Sequence, residues 1–155
     1  MIAFALEPLA DDVSWSPDWR PENLNRPQHP DLMGSDFCVL FFNADVQLVI
    51  HGVDLSLRLA GVPVVDFALM LEYATRELET GSDIAVETTY QHVFSLSRGA
   101  KAVTLTTDYA PHVAELTWDE LLELTARAKS EAVRLITAAH PELRDHEWLR
   151  ETVGA

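Results

Sequence analysis

Hydrophobic and polar residues alternate with different periods along the chain, and each change of period marks out an element. Residues 63–78 read PVVDFALMLEYATREL, and Val64, Phe67, Leu71, Ala74 and Leu78 recur there at spacings of three and four. That spacing predicts an amphipathic helix, with Pro63 suited to its first turn and Gly81 to its exit. Glu72, Thr75, Arg76 and Glu79 fall opposite the apolar stripe. Val65 and Leu69 lie beside the polar arc, so the first half of the helix is apolar nearly all round and is expected to be covered on more than one side. The extra cover comes either from another segment of the same chain or from a partner.

Strand patterns flank this helix. FCVLFF, residues 37–42, is a short apolar run that predicts a strand buried on both faces. Val46, Leu48 and Ile50 alternate with polar positions, His51-Gly52 is a turn signal, and Val53, Leu55, Leu57 and Leu59 alternate on the opposite parity. A hairpin or bulge at Gly52 accounts for that change. Beyond the helix, Ile84, Val86, Tyr90, Phe94 and Leu96 share one parity, which predicts one long strand or two with a kink near Thr88-Thr89. Residues 98–101 form the loop of a hairpin whose second strand carries Val103 and Leu105 and ends before Pro111. Thr117 with Glu120 makes a capping box, and the helix it opens runs to about Ala139, with Leu121, Thr125, Ala128, Ala132, Leu135 and Ala139 as its seam. A short terminal helix over 142–152 is anchored by Leu143 and Trp148. The order strand, strand, helix, strand, strand, helix predicts an α+β fold, an antiparallel sheet of about four strands with two main helices packed on one face.

Residues 1–35 follow a different pattern. Prolines at 8, 17, 21, 27 and 30, with Asn23, Asn25 and Gly34, exclude long helices and central strands. Trp15 and Trp19 sit in the same stretch, in SWSPDWRPE. The chain is therefore expected to divide into a Pro- and Trp-rich N-terminal arm, 1–35, and a single α+β domain, 36–155. The tryptophans either pack back onto that domain or meet a partner.

Charge narrows the classes of partner. The net charge is −14, from 25 Asp and Glu against 11 Lys and Arg. Nucleic acids and anionic membranes require a positive footprint, so neither is expected as a partner. An acidic balance serves solubility or docking onto a basic protein. Cys38 is the lone cysteine, which favours a reducing compartment. The start MIAFALEPLADD lacks the basic residues of a signal peptide, and no run of about 18 apolar residues predicts a membrane span. A cytoplasmic location is the expectation.

The residues that carry chemistry form no motif. The histidines at 29, 51, 92, 112, 140 and 146 include no i,i+4 helical pair and no HExxH, so neither a metal nor another cofactor is expected. There is no GxSxG elbow and no glycine-rich phosphate loop before a helix. Cys38 in its apolar run reads as an inert thiol, and Asp119, Glu120 and Glu123 complement the dipole at a helix start. His92 shares strand parity with Tyr90 and Phe94. Facing inward, it is either hydrogen-bonded within the core or, beside Tyr90 or Tyr109, a general acid or base lining a pocket.

From about Val46 to Trp148, the segments PVVDFALMLEYATRELETG, VFSLSRGAKAVTLTTDYAP, LTWDELLELTARA and HPEL resemble a loose group of small bacterial α+β proteins of the toxin-immunity type. The resemblance implies a non-enzymatic, cytoplasmic protein that binds another protein as an immunity or inhibitor protein, the basic partner agreeing with the net charge. Expected contacts are Trp15, Asp18, Trp19, Val65, Leu69, Glu72 and Arg76. One alternative is a small enzyme or ligand-binding domain with a pocket between the sheet and the N-terminal arm, near Tyr90, His92 and Trp19. Another is a homodimeric structural subunit that uses Val65 and Leu69 as its two-fold contact.

Overall fold

The computed structural model describes residues 1–21 and 28–154, leaving aside the side chains of Leu59 and Ala60. Asn23, Asn25 and Pro27 of the N-terminal stretch lie outside the described residues. Among the described residues the chain forms an antiparallel α+β fold, as its pattern predicts, but with two four-stranded sheets in place of one.

The first sheet contains Ile2–Pro8 (β1), Asn43–Ile50 (β2), Val53–Asp54 (β3) and Leu57–Pro63 (β4). β1 lies along the whole of β2, from Ile2 opposite Ile50 to Pro8 opposite Ala44. β3 and β4 follow one another on the other side of β2. The hairpin expected at Gly52 is present: His51 and Gly52 both have positive φ, 48° and 83°, as a two-residue primed turn requires. Val46, Leu48 and Ile50 face inward as their alternation predicts. The strand expected over 53–59 is interrupted at Leu55-Ser56, where the Ser56 hydroxyl replaces a backbone acceptor for the Leu48 N–H at 3.1 Å. Gly61, with φ 76°, bends β4; a Cβ there would stand 2.6 Å from Leu9 Cδ1.

The N-terminal stretch is thus part of the fold from its second residue. Its prolines begin at position 8, so residues 2–7 keep every N–H that pairing needs, and β1 takes the edge of the sheet. The tryptophans pack back. Trp15 donates from Nε1 to the Asn43 carbonyl at 2.7 Å, and Trp19 packs among His29, Phe41, Phe42 and His140.

The second sheet is a meander of Asp83–Glu87 (β5), Val93–Arg98 (β6), Val103–Thr107 (β7) and Val113–Leu116 (β8) in that order. The long strand expected over 84–96 is two antiparallel strands; the kink near Thr88-Thr89 is a full reversal, with Gln91 at φ 67°. Ile84, Val86, Phe94 and Leu96 keep their common face, while Tyr90, in the reversal, turns outward.

Val64–Leu78 (α1) runs between the sheets. Its Phe67 meets Phe4 of the first sheet at 6.0 Å and Phe94 of the second at 5.9 Å, centroid to centroid. Trp118–Ala139 (α2) packs beside α1 and against β1, and the Thr117/Glu120 capping box is formed. Its buried line ends on Ile136 rather than on Leu135 and Ala139. The chain closes with a 3-10 turn, Pro141–Asp145, and Glu147–Thr152 (α3). Leu143 is buried there, and Trp148 stacks on Phe37 at 5.6 Å. Among the described residues, no helix is long and apolar enough to cross a membrane.

Candidate functional site

The run FCVLFF cannot hide six neighbouring apolar side chains, and the fold resolves this with a π-helical turn, Asp36–Leu40, instead of the expected strand. Asp36 opens the turn by accepting the Met33 N–H at 2.7 Å, and the Phe41 N–H closes it on the Asp36 carbonyl at 3.1 Å. Phe37 and Phe42 are fully buried, whereas Val39 and Leu40 are left 45% and 47% exposed. Phe42 reaches the core at φ 61°, a left-handed conformation that is costly for a bulky side chain. Its N–H is held at 2.9 Å by the Ser14 hydroxyl, which itself donates to Asp12 at 2.6 Å.

The β5–β6 reversal meets this turn. The Thr89 hydroxyl donates to the Cys38 carbonyl at 2.9 Å, and the Thr89 N–H donates to Asp66 at 2.7 Å. Asn43 is the hub between them. It receives the Tyr90 hydroxyl on Oδ1 at 3.0 Å, and its own amide donates to the Leu40 carbonyl at 3.1 Å and to Asp12 at 3.0 Å. Around Asn43 there is therefore a fixed outward face carrying Val39, Leu40 and the 41% exposed Tyr90. Phe42 and Gln91, at positive φ, flank it. Backbone strain and π-helical turns are features that gather at functional surfaces.

This face is acidic. Burial raises the pKa of the Tyr90 hydroxyl, and the nearby Asp12 and Asp66 carboxylates raise it further. Among the described residues neither carboxylate takes part in an ion pair. Cys38 lies beneath, its thiol pushed up to about 11 by burial and by Asp66. Roughly one molecule in ten thousand then carries the thiolate at pH 7, against a few per cent for a free cysteine. Alkylation by iodoacetamide at pH 7 is expected to run about three-hundredfold slower than for the unfolded chain; equal rates in the two states contradict this burial.

The residues expected at a partner surface are dispersed. Trp15 supports Asn43 from behind. Trp19 is partly buried among aromatic rings, and Asp18 is exposed beside it in the chain. Val65 is fully buried, so it contributes to no surface: α1 lies between the two sheets, and segments of this chain cover both its flanks. Leu69 is half-buried against the core. Glu72 pairs with Arg76 at 2.9 Å and with Lys129 of α2, so these groups link the helices. Tyr90 and His92, expected to share a pocket, part company: Tyr90 goes to Asn43, and His92 edges onto Tyr109 at 5.7 Å. Tyr109 in turn donates to the Leu55 carbonyl at 2.7 Å.

Sequence reasoning missed two features. The pattern of FCVLFF places Val39 and Leu40 in a buried strand, and their exposure follows only from the π-helical turn. His29 and His140, far apart in the chain, meet beneath Trp19 with ring centroids 4.2 Å apart. Burial holds His140 below the usual histidine range, and His29 lowers it further against the opposing effect of the Ser14 carbonyl. No spacing along the chain signals this meeting. No protein-family model, curated protein or solved structure matches the chain.

Proposed function

We propose that this protein is a non-enzymatic binding protein for a basic protein partner, in the manner of an immunity or inhibitor protein, and that the face around Asn43 is its docking surface. The observation that carries the reading is the outward placement of Val39, Leu40 and Tyr90 on hydrogen-bonded backbone beside Asp12 and Asp66, two carboxylates with no ion pair among the described residues. Exposed apolar side chains fixed in place anchor an interface at low entropic cost, and tyrosine is prominent among such anchors. The acidic surround and the net charge of −14 select a cationic partner and speed its approach.

The test pairs capture with mutation. Wild-type protein is expected to retain one stoichiometric basic protein from a lysate of the source organism. Tyr90→Ala is expected to weaken that complex by about 2 kcal/mol, roughly thirtyfold, and Val39→Asp with Leu40→Asp to abolish it. All three positions are exposed, so both variants should keep wild-type circular dichroism. A captured protein that both variants still hold would place docking elsewhere. Capture of nothing, together with a dimer that Leu40→Asp dissociates, would assign the face to a second copy of the chain.

A further inference from the structure

Among the described residues three histidines are buried, and the surroundings of two of them differ from those of the third. His146 has both ring nitrogens occupied: Nε2 donates to the Leu32 carbonyl at 2.7 Å, and Nδ1 accepts the Leu149 N–H at 3.3 Å. It is a helix cap and needs nothing more. At His29 and His140 the backbone occupies only Nε2. His29 Nε2 donates to the Trp19 carbonyl at 2.8 Å, and His140 Nε2 donates to the Ser14 carbonyl at 2.6 Å. His29 Nδ1 meets the Glu142 carboxylate, and the His140 ring lies against the His29 ring with centroids 4.2 Å apart. One ligand atom from each of the three residues lies within 4.8 Å of the other two. His140 is 1% exposed, and among the described residues its Nδ1 has no hydrogen-bond partner. A buried acceptor left without a donor is destabilising, and native folds rarely keep one without a use for it.

We propose that His29 Nδ1, His140 Nδ1 and the Glu142 carboxylate bind one divalent transition-metal ion of the zinc class. Two imidazoles and a carboxylate form a donor set that such ions favour over magnesium or calcium. The carbonyls of Trp19 and Ser14 supply the outer contacts that fix each ring and direct the opposite nitrogen to a metal. Three protein ligands leave one place of a tetrahedron for water or another small donor. Glu142 is 42% exposed, which gives the ion a way in from solvent. His29 Nδ1 already touches this carboxylate, so one side of the site is assembled. Trp19 packs against both rings, stacked on His29 at 5.6 Å and tilted against His140 at 5.7 Å. The ion would clasp the N-terminal segment to the end of α2 and the turn after it, a role separate from the docking face.

The experiment uses the full chain, stripped with a chelator and dialysed, then titrated with zinc chloride in a calorimeter and with cobalt(II) in a spectrophotometer. The expected result is one ion per chain, visible d–d bands for cobalt, quenching of Trp19 fluorescence by cobalt, and a higher melting temperature with zinc. Glu142→Gln, at an exposed position, should fold as wild type and lose at least about tenfold in zinc affinity. His140→Asn should lose more, once near-ultraviolet circular dichroism shows it folded. If it does not fold, Glu142→Gln decides. Failure of the folded wild type to bind either ion one-to-one, or an affinity that Glu142→Gln leaves unchanged, overturns the proposal.

Discussion

Val65→Asp is expected to unfold the protein. Val65 is fully buried in the first turn of α1 and belongs to the hydrophobic core. An unpaired charge cannot be kept in such a place. It either takes up a proton or lets water in, and the loss is expected to exceed about 4 kcal/mol, the range of the severest single substitutions. That is most of the stability of an ordinary domain, about 5–15 kcal/mol. Denaturant titration followed by far-ultraviolet circular dichroism should show an unfolded chain, or a midpoint lowered by more than half. Leu69→Asp, at a half-buried position, should cost distinctly less. Wild-type stability in Val65→Asp would mean that this flank of α1 is open, as a partner surface there would require.

Phe67→Ala is expected to cost about 3–5 kcal/mol, the usual loss when a large ring leaves a packed core. The side chain is fully buried and touches a phenylalanine from each sheet, so its removal leaves a cavity at the junction of the two layers. Neither Phe4 on β1 nor Phe94 on β6 can fill that cavity without moving its strand. Urea denaturation should show a lower midpoint with an unchanged slope. A loss below about 1 kcal/mol would show that the sheets are joined by contacts other than this ring.

Where one local cause fixes an element, the sequence pattern was sufficient. The stripe of α1, the Thr117/Glu120 box that opens α2 and the alternation of Val46, Leu48 and Ile50 each have such a cause, and each is seen in the structure. Elements set by competition were harder to read. FCVLFF has strand composition, but Asp36 and the demand for two inward phenylalanines bend it into a π-helical turn. The reversal at Tyr90-Gln91 carries no glycine, although Gln91 adopts a backbone conformation that glycine usually supplies. β1 was obscured by the prolines that follow it. The face around Asn43 depends on three distant segments, and the grouping of His29 with His140 and Glu142 on a chain reversal, so neither has a signature in residue spacing.

The edge position of β1 has a consequence for how the chain comes to be folded. Its neighbour in the sheet is β2, so as the polypeptide leaves the ribosome its first strand emerges with nothing to pair with until residue 50 has followed. The Ser14 carbonyl waits longer still, because its donor, His140, follows 126 residues later. The meander β5–β8, by contrast, is built from neighbours in sequence and can close as it appears. Residues 2–14 are therefore made before the segments that hold them, whereas each strand of the meander finds its partner in the next one made.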